Sequence, residues 1–212
     1  MSDLHVLRRV ALGGIILALI VGAVSVALGI AAVGDIEALT FGHVDTILRA
    51  GPEAAVLWRW SMLLDMFYSY LLLAPLALYG HRLLRERKPW LADLGLAGAL
   101  AYISIGAASA ASLAIAGSAL IESYATASPE QQTSIVASFM LLRDIFYFAI
   151  WQTLDPITAG TWVFATGWLL LADRRWLGRL LVVLGSALWT LAAMTMLGVH
   201  SLAVLALIFG VA

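Results

Sequence analysis

Five ionisable side chains lie inside long apolar stretches of this 212-residue chain: Arg59, Asp65, Arg143, Asp144 and Asp155. A charge within a membrane-spanning helix is costly, so such residues normally face the interior of a bundle and pair there. Two neighbouring carboxylates tend to share one proton, which suits proton exchange. An arginine instead suits bidentate binding of an anionic headgroup. The pattern therefore predicts a polar pocket inside a helical bundle.

Aromatic residues near these charges complete the candidate ligand-binding set. The set comprises Arg59, Asp65, Tyr68, Arg143, Asp144, Tyr147, Trp151 and Asp155, with Tyr70 as a further framing residue. We expect Asp65 and Asp144 to approach one another, or each to pair with an arginine, in the outer half of the bundle. The alternative interpretation is a network of salt bridges that only closes the fold, with the arginines extending to the outer surface.

The composition is that of a membrane protein. Hydrophobic residues make up 63% of the chain and charged residues 12%, with a mean hydropathy of +0.98. A soluble domain carries roughly twice that charged fraction. The net charge of −1 gives no basic patch for nucleic acid. The absence of cysteine excludes disulfides, thiolate metal sites and cysteine nucleophiles.

Apolar runs of the length needed to cross a bilayer, about 20 residues, define the elements. The predicted spans are residues 10–33, 58–84, 92–121, 133–172 and 178–209, with an outer loop at 34–57, in one domain over 1–212. The first run is too long for the apolar region of a signal peptide, so we interpret it as a retained span. Asp155-Pro156 interrupts the long fourth span, where proline predicts a kink. The chain is therefore predicted to be all-α, an integral membrane bundle of about five helices.

The distribution of basic residues distinguishes five spans from six. Nine of the twelve Lys and Arg residues form three clusters, at residues 8–9, 82–88 and 174–179. A chain with five spans has all three clusters on one side of the membrane. A chain with six spans would have the cluster at residues 174–179 on the opposite side. The positive-inside rule favours five spans, a cytoplasmic N-terminus and a C-terminus outside.

The outer loop has a pattern of its own. Phe41, Val44, Ile47 and Leu48 recur at helical spacing, which predicts a short amphipathic helix on the outer leaflet. This helix would be either a lid over the pocket or a plain connector.

An internal repeat relates the second and fourth spans. Residues 64–68, Leu-Asp-Met-Phe-Tyr, align with residues 143–147, Arg-Asp-Ile-Phe-Tyr, and both spans are followed by a basic loop. Parallel two-helix units related by an axis along the membrane normal would produce such a match. Asp65 and Asp144 would then lie at similar depth near that axis.

The same spans carry a resemblance to a known family. The relevant motifs are Trp58-Arg59 with Asp65, then Asp144, then Gly167-Trp168-Leu169 and the Arg-Arg-Trp-Leu-Gly loop at residues 174–178. With them the chain resembles a bacterial family of small multi-spanning membrane proteins catalogued as a domain of unknown function, although Arg174 replaces the family's proline. The resemblance implies a bacterial inner-membrane location and a helical fold, but no activity.

Three functions are compatible with these features. The first is a protein that binds or moves a small amphipathic or lipid-like ligand in an outer-facing pocket, either as a single chain or as a homodimer. The second is a membrane enzyme that uses Asp65 and Asp144, but no catalytic motif surrounds these acids. The third is an accessory subunit packed against a membrane-protein partner. The expected partners are membrane lipids and a lipophilic small molecule.

No cofactor or metal is expected from the sequence. Its four histidines, His5, His43, His81 and His200, do not provide an obvious pair at matched depth inside the bundle.

Overall fold

The computed structural model describes residues 2–198, which form seven helices and no strand. The helices are α1 (Ser2–Val33), α2 (Ile36–Phe41), α3 (Val44–Leu48), α4 (Pro52–Leu84), α5 (Pro89–Tyr124), α6 (Pro129–Leu170) and α7 (Arg175–Met196). Five of them, all except α2 and α3, are long and apolar enough to cross a membrane. This confirms the predicted all-α membrane bundle. His200 and the end of the predicted fifth span lie outside the described residues.

Local sequence explains where the helices begin. The second span starts six residues earlier than predicted, because Gly51 adopts a left-handed backbone (φ 93°) and Pro52 occupies the first helical turn. Helix α6 begins with a capping box between Ser128 and Gln131. It continues for 42 residues as one helix, so Asp155-Pro156 does not divide it into two spans.

Helices α1 and α4 lie antiparallel in close contact. The Ser25 hydroxyl donates to the Ser61 carbonyl at 2.8 Å, and the Ser61 hydroxyl donates to the Ser25 carbonyl at 2.9 Å. Towards the other end of the pair, a Cβ on Gly14 would lie 2.8 Å from the Leu72 carbonyl oxygen. Small residues therefore allow this pair to approach at backbone distance, as is common between membrane helices.

The three basic clusters lie at one end of the bundle. The antiparallel packing of α1 on α4 brings residues 8–9 near the end of α4. At the same end, the Arg87 guanidinium donates to the Leu169 carbonyl at 2.9 Å and pairs with Asp173. This contact joins the loop between α4 and α5 to the loop between α6 and α7.

Helix α3 forms, but its apolar residues do not lie on the bundle surface. Val44, Ile47 and Leu48 are buried in a cluster that includes Phe139 and Tyr147 of α6. The prediction of a surface helix was therefore wrong about its environment. Helical spacing cannot tell an apolar stripe that faces lipid from one that faces protein.

Glycines bring α6 and α7 together. Gly167 and Gly178 face one another, and a Cβ on either would lie 2.9 Å from the other's carbonyl oxygen. Gly160 and Gly185 form a second contact of the same kind. Both Gly167 and Gly178 belong to the motifs that carry the family resemblance, so these motifs have a packing role here.

Candidate functional site

The helices that carry the candidate residues change their winding in the middle of the bundle. Helix α4 is π-helical over Met66–Tyr70 and α6 is π-helical over Asp144–Leu154. In α6 the Thr153 hydroxyl donates to the Phe148 carbonyl at 2.7 Å. π-Helical segments are rare and occur frequently at functional sites. The distortion expected at Asp155-Pro156 thus takes the form of a π-helical stretch that ends just before these residues.

The two π-helical stretches begin within one residue of each other when the segments of the internal repeat are aligned. In α4 the stretch starts one residue after Asp65, and in α6 it starts at Asp144. The stretch in α4 covers 5 residues and that in α6 covers 11. The aligned segments therefore both become π-helical near the aligned acid, but the π-helical winding continues further in α6 than in α4.

Tyr70 and Asp155 join α4 to α6 in the bundle interior. The Tyr70 hydroxyl donates to Asp155 Oδ2 at 2.7 Å, and Asp155 is only 6% exposed. The Tyr70 ring packs on Tyr102 of α5, with 4.9 Å between the ring centroids. Gly106 of α5 leaves the space that the Tyr70 ring occupies. Three helices thus meet around one carboxylate.

Asp65 supplies a second carboxylate to the same region. The Ser69 hydroxyl, one turn further along α4, donates to Asp65 Oδ1 at 2.8 Å. Asp65 is within electrostatic range of Asp155 and of four phenols, those of Tyr68, Tyr70, Tyr102 and Tyr147. Two of these phenols, Tyr70 and Tyr102, are within range of both acids.

Four buried polar atoms of α6 have no hydrogen-bond partner among the described residues. They are Tyr147 Oη, Trp151 Nε1, Gln152 Nε2 and Asp155 Oδ1. The Tyr147 and Trp151 rings touch, with centroids 4.9 Å apart. Trp151 also packs against the cluster that contains Tyr70. An unsatisfied buried group costs about 1–3 kcal/mol, so four in one stretch of helix are conspicuous.

These residues together form what we call the interior polar cluster. It consists of Asp65, Tyr68, Ser69, Tyr70, Tyr102, Tyr147, Trp151, Gln152 and Asp155.

Three residues of the candidate set lie apart from this cluster. Arg143 pairs with its neighbour Asp144 at 2.7 Å, and the Asp144 side chain is 56% exposed. The Arg59 guanidinium donates to the Ser118 hydroxyl of α5 at 3.1 Å. Among the hydrogen bonds and ion pairs of residues 2–198, none joins Asp65 to Asp144 or to an arginine. The acid near Asp65 is Asp155, which lies 11 residues beyond Asp144, past the π-helical stretch.

The Trp58-Arg59 motif has a packing role. Trp58 is fully buried, and its indole N–H donates to the Leu113 carbonyl at 3.2 Å, where α5 begins a π-helical turn. Gly117 leaves the space for the indole. Together with the bond from Arg59 to Ser118, this contact fastens the N-terminal part of α4 to α5.

Three members of the cluster were not predicted from the sequence. Tyr102 lies in an apolar span rich in small residues, and Ser69 resembles many other hydroxyls in membrane helices. Gln152 offered a signal, because an amide within the apolar run of residues 145–154 is costly to bury and marks a candidate functional position. Within residues 2–198, no group of three His, Cys, Asp or Glu residues is placed to hold a metal ion.

Replacing Tyr147 by phenylalanine should leave the protein as stable as before, or more stable by about 1 kcal/mol. The substitution removes a hydroxyl that is fully buried and has no partner among the described residues. The matched variant Tyr70→Phe removes a hydroxyl bonded to Asp155 and should cost about 1–2 kcal/mol. Unfolding of both variants in mixed micelles checks this difference. Equal destabilisation by the two substitutions would show that the Tyr147 hydroxyl is stabilising.

Comparison with known proteins gives no family assignment. No family model matches the chain, and neither a curated protein nor a solved structure is significantly similar to it.

Proposed function

We propose that the chain is a multi-pass protein of a bacterial cytoplasmic membrane that binds a small amphipathic ligand. The polar end of the ligand lies in the interior polar cluster. The five long apolar helices support membrane insertion. The three basic clusters at one end of the bundle support a cytoplasmic N-terminus and an external C-terminus, since cytoplasmic loops carry the excess of Lys and Arg. The family resemblance supports the bacterial origin.

The four unpartnered atoms of α6 carry the proposal. A network that only closes a fold satisfies its members, as Arg87 does at the basic end by bonding a carbonyl and a carboxylate. In the interior polar cluster, three donors and one acceptor stay free instead. A ligand with oxygen acceptors and at least one donor or positive charge would satisfy all four.

A groove in the membrane-facing surface supplies room for the apolar part of the ligand. It lies between α1 and α4 and has a volume of about 530 Å³. The residues that line it are Ile15, Ala18, Leu19, Gly22, Ala23, Val26, Leu73 and Tyr68. Tyr68 borders the groove and is also within electrostatic range of Asp65. The groove and the interior polar cluster thus adjoin one another at this tyrosine.

Native mass spectrometry of the protein released gently from its own membrane tests the proposal. The wild-type protein should carry a bound small molecule, and Gln152→Leu should reduce its occupancy at least tenfold by removing a donor. Ser138→Ala is the matched control, because its hydroxyl lies on the exposed surface of α6 and bonds only the Ser134 carbonyl. A wild-type protein with no such molecule, or equal occupancy in both variants, would contradict the proposal.

A further inference from the structure

The two carboxylates of the interior polar cluster have only neutral partners. The ion pairs of the described residues are those of Asp93 with His81 and Arg85, Asp173 with Arg87, and Asp144 with Arg143. None includes Asp65 or Asp155. Their partners are neutral hydroxyls, those of Ser69 and Tyr68 for Asp65 and that of Tyr70 for Asp155. The cluster therefore contains two acids and no positive charge in contact with them.

Burial makes this arrangement expensive when the acids are ionised. Removing a carboxylate from water without a cationic partner costs several kcal/mol. Asp155 is 6% exposed, and its Oδ1 has no partner among the described residues. A proton on the carboxylate or a cation beside it relieves this cost. A site of this kind can exchange a proton for a positively charged group.

The interior polar cluster contains two pairs of aromatic rings in contact. The Tyr70 ring packs on that of Tyr102 at a tilt of 48°, and Tyr147 meets Trp151 edge to face, both pairs with centroids 4.9 Å apart. Faces of tyrosine and tryptophan attract cations, and rings grouped around a charge recognise quaternary ammonium groups. The arginines that would hold an anionic headgroup are bonded elsewhere, Arg59 to Ser118 and Arg143 to Asp144.

We propose that the ligand is a lipophilic cation, such as an amphipathic ammonium compound, whose charge lies between Asp65 and Asp155. This inference rests on the proposed function, because it names the class of ligand that the interior polar cluster binds. The cation competes with protons for the same carboxylate oxygens. The other titratable groups that face the two acids are the phenols of Tyr68 and Tyr70 on α4, Tyr102 on α5 and Tyr147 on α6. Phenols ordinarily lose their proton only near pH 10.

Titration calorimetry with tetraphenylphosphonium tests the inference on the full chain in lipid nanodiscs. We expect saturable binding that weakens at least tenfold in Asp65→Asn and in Asp155→Asn. Asparagine keeps the size of the side chain and can still accept the bond from Ser69 or Tyr70, so folding should be retained. Binding to the wild-type protein should also weaken when the pH falls from about 8 to about 5, because carboxyl groups buried without a cationic partner take up protons in this range. Trp151→Leu removes a ring but no charge and should weaken binding several-fold.

The control and a neutral probe separate the possible outcomes. Asp93→Asn removes an exposed acid at the basic end of the bundle and should bind the cation as the wild type does. Equal affinity in the wild type, Asp65→Asn and Asp155→Asn would overturn the inference. Neutral triphenylphosphine oxide has a similar shape and an oxygen acceptor. If it binds in a Gln152-dependent manner while the cation does not, the cation inference fails and the proposed ligand site stands.

Discussion

Gly106→Ala should lower the free energy of unfolding by about 3 kcal/mol, the upper part of the range for overpacking a core. A Cβ at this position would lie 1.8 Å from Cε1 and 2.3 Å from Cζ of the Tyr70 ring. The ring cannot retreat easily, because Tyr102 packs against it and its hydroxyl bonds Asp155. The substitution therefore separates α4 from α5 or expels the phenol from the interior polar cluster.

Unfolding with SDS in mixed micelles, followed by tryptophan fluorescence, measures this effect. Gly80→Ala is the matched control, since a Cβ there meets nothing within 4 Å and alanine favours helix over glycine by up to about 1 kcal/mol. Truncating the ring in Gly106→Ala/Tyr70→Ala should recover part of the stability that Gly106→Ala loses. The double substitution should not recover ligand binding, because it removes the Tyr70 hydroxyl that bonds Asp155. A Gly106→Ala protein as stable as the wild type would contradict the packing described here.

The spans were predictable because their determinants are local. Length, hydropathy and basic clusters depend on neighbouring residues and on the bilayer, so the five spans and the unbroken fourth helix follow without knowledge of tertiary contacts. The members of the interior polar cluster were harder to predict. Which acids meet depends on how far each helix is rotated about its own axis. Composition and spacing do not report that rotation.

Asp144 illustrates how a sequence repeat can mislead. The π-helical stretches of α4 and α6 begin beside Asp65 and at Asp144, the two acids that the repeat aligns. The alignment assumes equal winding after that point, but the π-helical stretch of α6 is six residues longer than that of α4. Each π-helical turn changes the direction of the side chains that follow. Asp155, just beyond the stretch, is therefore the acid near Asp65, and Asp144 lies at the exposed surface beside Arg143.

The partners of the interior polar cluster illustrate a second limit. Tyr102 reaches the cluster only because α5 packs beside α4, with Gly106 making room for Tyr70. No feature within the third span distinguishes this tyrosine from one that faces lipid. Pro156 did mark the right place in α6, because a proline in a helix leaves a backbone carbonyl without its usual donor and so favours local irregularity.

Gly185→Ala should displace α7 and destabilise the bundle by about 3 kcal/mol. A Cβ on Gly185 would lie 2.7 Å from the Phe164 backbone nitrogen and 2.8 Å from the Gly160 carbonyl oxygen. Backbone atoms of a helix cannot turn aside as a flexible side chain can, so α7 as a whole must move. Trp189, whose indole N–H donates to the Ile157 carbonyl at 3.2 Å, would lose that bond as α7 moves. Ile157 lies just after Asp155-Pro156, so the displacement also loosens one wall of the interior polar cluster.

Thiol labelling can detect this movement without interference, because the chain has no cysteine of its own. Ala192 is 2% exposed on α7, so Ala192→Cys should react slowly with a maleimide in the otherwise wild-type protein. In the Gly185→Ala background we expect labelling at least tenfold faster, because the face of α7 that carries Ala192 opens to its surroundings. Ser186→Ala, which changes an exposed neighbour bonded only to the Val182 carbonyl, should leave the labelling rate unchanged. Slow labelling in Gly185→Ala would mean that α7 tolerates the added methyl group, and the glycine contact would then not be what positions this helix.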